Sequence, residues 1–418
     1  MALDEKAIRA RLLGTRVSAP IAPGSEWVKS LFEDRVRSVL ATLNVEATLV
    51  EVHTPSRVTT CKTIDGRQYV VFDHSFLRSM RVLDRLVNET APAFLTAAAL
   101  QQILAEAART TGRADIYAFF VRRAEEAKKA FLAALDGDTD PDAETAQCLL
   151  VLLHEAGHSL PSDQELHAAA SQYAALKISS VSTQWIRMLS AQFAEALGME
   201  LPNIPKEQLE EWINFRDGLQ VNDEQLGEAI HAVAGDSSFH AEIACDRVAL
   251  VLQQAILEGH RDVKNRDAYL LLAEKVLLAT YSAFLHLRFL KYVDDIFLHL
   301  PQHVLTEKIN TLDLRSMMSS GFRGTLVGQL VLDIAGEMGG AGFAERIRIL
   351  MRDLQTQHTD VLFPALNELL ESTILNVEFH QELSSMLAHD GVTAVERGGN
   401  LRESLYGSDS IWLAMAKG

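Results

Sequence analysis

A mainly α fold carrying one small antiparallel sheet, an α+β arrangement, is what this sequence predicts, and three observations predict it. Helical periodicity runs from Phe76 almost to the end, with breaks at Asp136–Pro141, Gly198–Pro205, Gly235–Ser238, Gly259–Arg261, Pro301, Gly339–Gly342 and Gly391. Segments rich in Val, Thr and Tyr are confined to one early patch, Val45–His53, Arg57–Ile64 and Gln68–Asp73, with Asp65-Gly66 as a hairpin turn between the last two. A chain of 418 residues with 48% hydrophobic content exceeds one ordinary core and points to two or three packed units.

Taken in order, Pro20, Pro23 and Gly24 mark a loop, and a helical pattern follows from about Ser25 to Leu43. With the sheet, this makes an N-terminal α+β region over residues 1–95. A helical core over 96–260 comes next, with a helical insertion at about 160–236, and a helical C-terminal unit over 261–418. No repeat of fixed period appears, and Glu396–Gly418 is poor in periodicity. The most apolar stretch, Tyr269–Tyr292, is interrupted by Glu274, Lys275, Arg288 and Lys291, charges expensive at membrane depth, so it reads as a core helix and no membrane span is expected.

The formal net charge of -17 disfavours direct nucleic-acid binding, because a phosphate backbone would be repelled over much of the surface. Cys61, Cys148 and Cys245 are too few and too scattered for a disulfide framework and suit a reducing compartment. Met1–Leu13 mixes charged with apolar residues and lacks the apolar run of a secretory signal, so a cytoplasmic location is expected.

The chemistry is concentrated in Asp140–Pro161, DPDAETAQCLLVLLHEAGHSLP. Asp140 can cap a helix, Pro141 suits its first position, Asp142 and Glu144 complement its positive end, and Pro161 stops it. The apolar run Leu149–Leu153 implies enclosure, yet it ends in His154, Glu155 and His158. Residues four apart share a helix face at about 6 Å, so the two imidazoles can hold one metal ion. Glu155 stands about 100° round the helix, within reach of a water on that ion.

Two histidines need a third protein ligand. A longer motif with Gly at 161 and His at 164 is ruled out by Pro161 and Gln164, and His167 reads as a surface helix residue. Ser237–Gly259 reads as a second helix, with serines at its start and Gly at its end. On it Glu242 and Asp246 lie one turn apart beside Ile243, Ala244 and Val248, where carboxylates need a strong partner.

The pair of motifs, HEAGH at 154–158 and EIACD at 242–246, resembles the gluzincin-type HExxH zinc metallopeptidases, most closely the soluble relatives of the CAAX prenyl protease and HtpX group. The segment IDGRQYVVFDHSFL at 64–77 also resembles the strand-then-helix lead-in of these catalytic domains, and the similarity spans roughly residues 45–260. The resemblance implies a zincin-like core, zinc as cofactor, Glu242 as third ligand, and Asp246 as the residue orienting a histidine. Cys245 stands where the family usually has Ala, and 84 residues separate Glu242 from His158.

The expected activity is peptide-bond hydrolysis: zinc on His154, His158 and Glu242 activates a water, and Glu155 is the general base that later returns the proton to the leaving amine. Tyr281, His286 and His240 are considered for the oxyanion-stabilising role. The substrate would be a polypeptide, with the outer edge of the sheet either aligning it by strand addition or serving only as structure. Two other readings stand beside this one: a latent or inactive peptidase-fold protein binding a partner through its C-terminal helices, and a zinc amidase acting on a non-peptide substrate.

Overall fold

The structure is a computed structural model that describes residues 8, 11–12, 26–54, 59–88, 93–110, 117, 119–120, 123, 141–198, 223–259, 265–299 and 314–373. Asp140, the centre of the insertion at 199–222 and the tail Glu396–Gly418 therefore lie outside the described residues.

The first helix, α1, runs Glu26–Leu31, passes through a π-helical turn at Phe32–Val36 and continues as Arg37–Thr42. Phe32, Val36 and Leu40 are fully buried along it. Strands β1 (Ala47–Val52), β2 (Thr60–Ile64) and β3 (Arg67–Asp73) form the sheet. The hairpin turn is where the sequence puts it, with Asp65 and Gly66 at φ 49° and 78°, the two positive values that a two-residue hairpin of this kind demands.

The sheet is mixed, which corrects the expectation of an antiparallel one. Its order is β1-β3-β2: β2 and β3 pair antiparallel, whereas β1 and β3 run parallel, with Val50 opposite Val71. Burial explains this order. Tyr69 to Asp73 of β3 are buried without alternation, as a strand covered on both faces must be, whereas β2 has no fully buried residue and suits an edge.

Ten helices account for most of the remainder of the described chain when α1 is counted: α2 (His74–Asn88), α3 (Ala93–Thr110), α4 (Pro141–Gly157), α5 (Glu165–Gly198), α6 (Asp223–Ala234), α7 (Ser237–Gly259), α8 (Arg266–His299), α9 (Leu314–Gly339) and α10 (Ala341–Glu371). One cluster of buried side chains runs through them from Val28 to Leu370, so helices on either side of the motif segments share a core. α8 is long and apolar enough over Arg266–Asp294 to cross a membrane by length and composition. In this fold it packs against α3, α4, α9 and α10, and its Glu274 pairs with Arg346 of α10 at 2.6 Å.

Helix α4 lies at the centre, flanked by α7 and α8. Leu149, Leu150, Val151, Leu152 and Leu153 are all buried, so the apolar run supplies the enclosure the sequence implies. Polar ties fix its position. Gln147 donates to Asp84 of α2 at 2.7 Å, and Ser282 of α8 donates to the same carboxylate at 2.9 Å. Gln253 of α7 donates to the Ala146 carbonyl at 3.0 Å while accepting from Thr280 of α8 at 2.9 Å. Buried side chains that are paired in this way hold register between helices, which apolar contact alone does weakly.

Candidate metal centre

His154, Glu155 and His158 sit at the C-terminal end of α4. Pro141 is its first residue and Gly157 its last, so His158 falls in a tightened final turn, its amide bonding the Glu155 carbonyl at 3.2 Å. The two imidazoles still meet, with ring centroids 5.1 Å apart and planes at 81°. Gly157 allows α7 to come close: a Cβ there would stand 3.4 Å from Cα, Cβ and Sγ of Cys245.

That approach brings Glu242 to both rings. Its Oε2 lies 3.3 Å from Nε2 of His154 and its Oε1 lies 3.5 Å from Nε2 of His158. The ligand atoms of these three residues all fall within 4.8 Å of one another, the one such grouping among the described residues. Asp246, fully buried, stands 2.7 Å from Nδ1 of His154. Every ligand and supporting residue expected from sequence is thus brought to one place, with α4 and α7 joined across 84 residues of intervening chain.

Arg323 of α9 is the member that the sequence does not reveal. Its guanidinium makes a two-pronged contact with Asp246, Nε to Oδ2 at 2.9 Å and Nη2 to Oδ1 at 2.8 Å, while Nη1 reaches Oε2 of Glu242 at 2.9 Å. A planar fork suits this double duty in a way that a lysine could not. In the sequence it is one arginine among many in a helical stretch, and nothing local marks it.

The charges follow from these contacts. Burial opposes ionisation of both carboxylates on α7, but Asp246 is held down to about 2 by Arg323 and His154, and Glu242 is held down to about 2 by hydrogen bonding to His154 and by Arg323. Burial would make His154 less basic, yet the Asp246 carboxylate overrides it and lifts the ring to about 10. His158 is shifted the other way, by burial and the neighbouring His154, so it is readily neutral.

Glu155 differs from both. Burial, reinforced by Glu242, raises its carboxyl above the ordinary range even though His154 and the Cys61 amide of β2 favour the charged form. A carboxyl moved toward neutrality is suited to taking and returning a proton. The Cys61 amide donates to it, so the edge strand of the sheet touches the site directly.

The three residues considered for an oxyanion role have other engagements. Tyr281 donates to Gln355 at 3.1 Å, His240 contacts the Ala234 carbonyl at 2.6 Å, and His286 is buried against His358. His167 sits on α5 with Nδ1 3.4 Å from the Ser171 hydroxyl. Comparison with protein families, with curated proteins and with solved structures gave no match to this chain.

Proposed function

We propose that this chain is a zinc-dependent metallopeptidase with a zincin-like core, hydrolysing polypeptide with Glu155 as general base. The observation that carries the reading is the convergence of His154, His158 and Glu242 within 4.8 Å, with Glu155 beside them. Two imidazole nitrogens and a carboxylate oxygen are a donor set that suits zinc, and leave a position open for water or substrate. Asp246 on Nδ1 of His154 turns Nε2 toward Glu242, the orientation that ligation requires. Zinc in this place supplies Lewis acidity, which makes water more acidic and polarises a carbonyl.

The chain's own groups do the remaining work. Glu155, elevated by burial and aimed by the Cys61 amide, takes a proton from the attacking water and hands it to the leaving amine. Arg323 positions Glu242 and neutralises Asp246. Polypeptide is favoured over a small molecule by the place of β2. It is the edge strand of the sheet, no other strand pairs with its outer side among the described residues, and its Cys61 amide faces Glu155. An extended chain added along that edge would run past the general base.

The test is zinc content by elemental analysis for wild type and Glu242→Ala, paired with cleavage of an unfolded protein by wild type and Glu155→Gln. The expected result is about one zinc per chain, lost with Glu242, and cleavage reduced about 10²- to 10⁴-fold by Glu155→Gln with zinc retained. Zinc binding indifferent to Glu242, or cleavage indifferent to Glu155, would overturn the proposal.

A further inference from the structure

Helix α7 faces the two histidines with three side chains spaced to lie on one face, Glu242, Cys245 and Asp246. Glu242 lies near both Nε2 atoms, and Asp246 takes Nδ1 of His154. The Nδ1 edge of His158 meets neither carboxylate. It meets the Cys245 sulfur, with Sγ 3.4 Å from Nδ1.

We propose that Cys245 is the positioning residue of His158, holding its Nδ1 edge so that Nε2 faces Glu242 and the metal position. The inference rests on the metal-centre reading above and adds to it the residue that orients the second imidazole. Cys245 itself lies outside the group of converging ligand atoms, so it acts on the ring and is not a fourth ligand.

Three observations support this role. His158 is the more exposed of the two rings, its side chain 29% accessible against 12% for His154, and it leaves α4 in the final turn, so it has fewer neighbours to fix its rotation. The sulfur, by contrast, is anchored: Cys245 is buried at the crossing of α4 and α7, against Gly157, where backbone packing sets its place. A thiol can also accept from Nδ1–H or donate to a bare Nδ1, so the contact survives whichever nitrogen carries the proton, whereas the ionised Asp246 only accepts. The two histidines are therefore held differently, one by a charge and one by a neutral, two-way partner.

The test uses the full chain with cobalt(II) as the metal, comparing wild type, Cys245→Ser and Cys245→Ala. Cobalt affinity is measured by competition titration and coordination by the visible ligand-field spectrum. In the metal-free protein, proton–nitrogen NMR follows the ring nitrogens. The expected outcome is about a tenfold weaker cobalt affinity and a shifted spectrum for Cys245→Ala, with partial recovery in Cys245→Ser. The ring nitrogens of His158 should move in both variants while those of His154 stay, a response that loosened packing alone would not confine to one ring. Wild-type affinity, spectrum and His158 resonances in the folded Cys245→Ala variant would overturn this inference and leave the metal reading intact. Failure of wild type to bind cobalt at His154 and His158 would overturn both.

Discussion

Two pairs of imidazoles lie almost equally close in this molecule and live in opposite surroundings. His154 and His158 have ring centroids 5.1 Å apart, while His286 of α8 and His358 of α10 have theirs 4.9 Å apart. The first pair is met by Glu242 and Asp246, both ionised and both tied to Arg323. The second is buried, neither ring nitrogen of His286 makes a hydrogen bond, and the Asp84 carboxylate stands off at 3.6 Å. Burial drives His286 down to about 3, and burial together with His286 and Arg288 does the same to His358. Proximity of histidines alone therefore does not mark a candidate metal centre. What distinguishes the first pair is the fixed charge around it: Asp246 stands at Nδ1 of His154, and Glu242 lies near both Nε2 atoms.

The comparison is sharpened most by breaking one pair at a time. His158→Ala should weaken zinc binding by about 10³-fold, roughly 4 kcal/mol, whereas His286→Leu should leave zinc affinity unchanged, both read by competition titration. Equal losses from the two substitutions would mean that the second pair also holds metal. Next in size is Arg323→Met, which leaves the fully buried Asp246 facing only His154. It should cost about 3 kcal/mol of stability in denaturant unfolding, with loss of zinc affinity following from the freed Glu242. An unchanged unfolding midpoint would show that His154 alone suffices to neutralise Asp246.

The smallest expected effect belongs to acid. The folded-state values of His286 and His358 lie below those of an unfolded chain, near 6.5, so the folded protein resists protons that the unfolded chain accepts. Their contribution is complete above pH 6.5 and is lost as pH falls toward 3. By pH 5 each ring forfeits about 2 kcal/mol, from about 1.5 units at 1.36 kcal/mol each. Asp84 acts in the opposite sense: burial raises its carboxyl, so its proton uptake comes earlier in the folded state and offsets part of the loss. The fall between pH 7 and 5 should be about 2 kcal/mol smaller in His286→Leu, the share of one ring, as read in urea titrations at each pH. A wild-type curve parallel to that of the variant would show that the buried pair does not govern acid sensitivity.

How much of this the sequence discloses depends on the separation of the residues involved. The start of α4 and both limits of α7 are legible because Pro141 and Gly259 act on their own turns; α7 begins and ends as read, at Ser237 and Gly259, whereas α4 ends at Gly157, ahead of the stop read at Pro161. The histidine spacing is legible because it spans a single turn. The union of His154 and His158 with Glu242 is legible only through the resemblance of the two motifs, and the geometry brings these residues together. The parallel pairing of β1 with β3 is not legible, since alternation within a strand says which faces are covered but not which neighbour lies beside it. Arg323 is hidden for the same reason, lying 77 residues beyond Asp246, and so is the meeting of His286 with His358 across two helices. The π-helical turn at Phe32–Val36 likewise leaves no trace in a pattern that reads as one continuous helix.

The position of Arg323 also sets a sequence of events during synthesis. When Asp246 leaves the ribosome, both helices that carry the His154, His158 and Glu242 cluster have been made, yet the cation that neutralises Asp246 and braces Glu242 is still 77 residues away. At about 5–20 residues per second, that is a delay of roughly 4–15 s. Over that interval a nascent chain can fold α4 against α7 but cannot complete the charge balance of the cluster, so the fully braced arrangement arises only after α9 has been delivered.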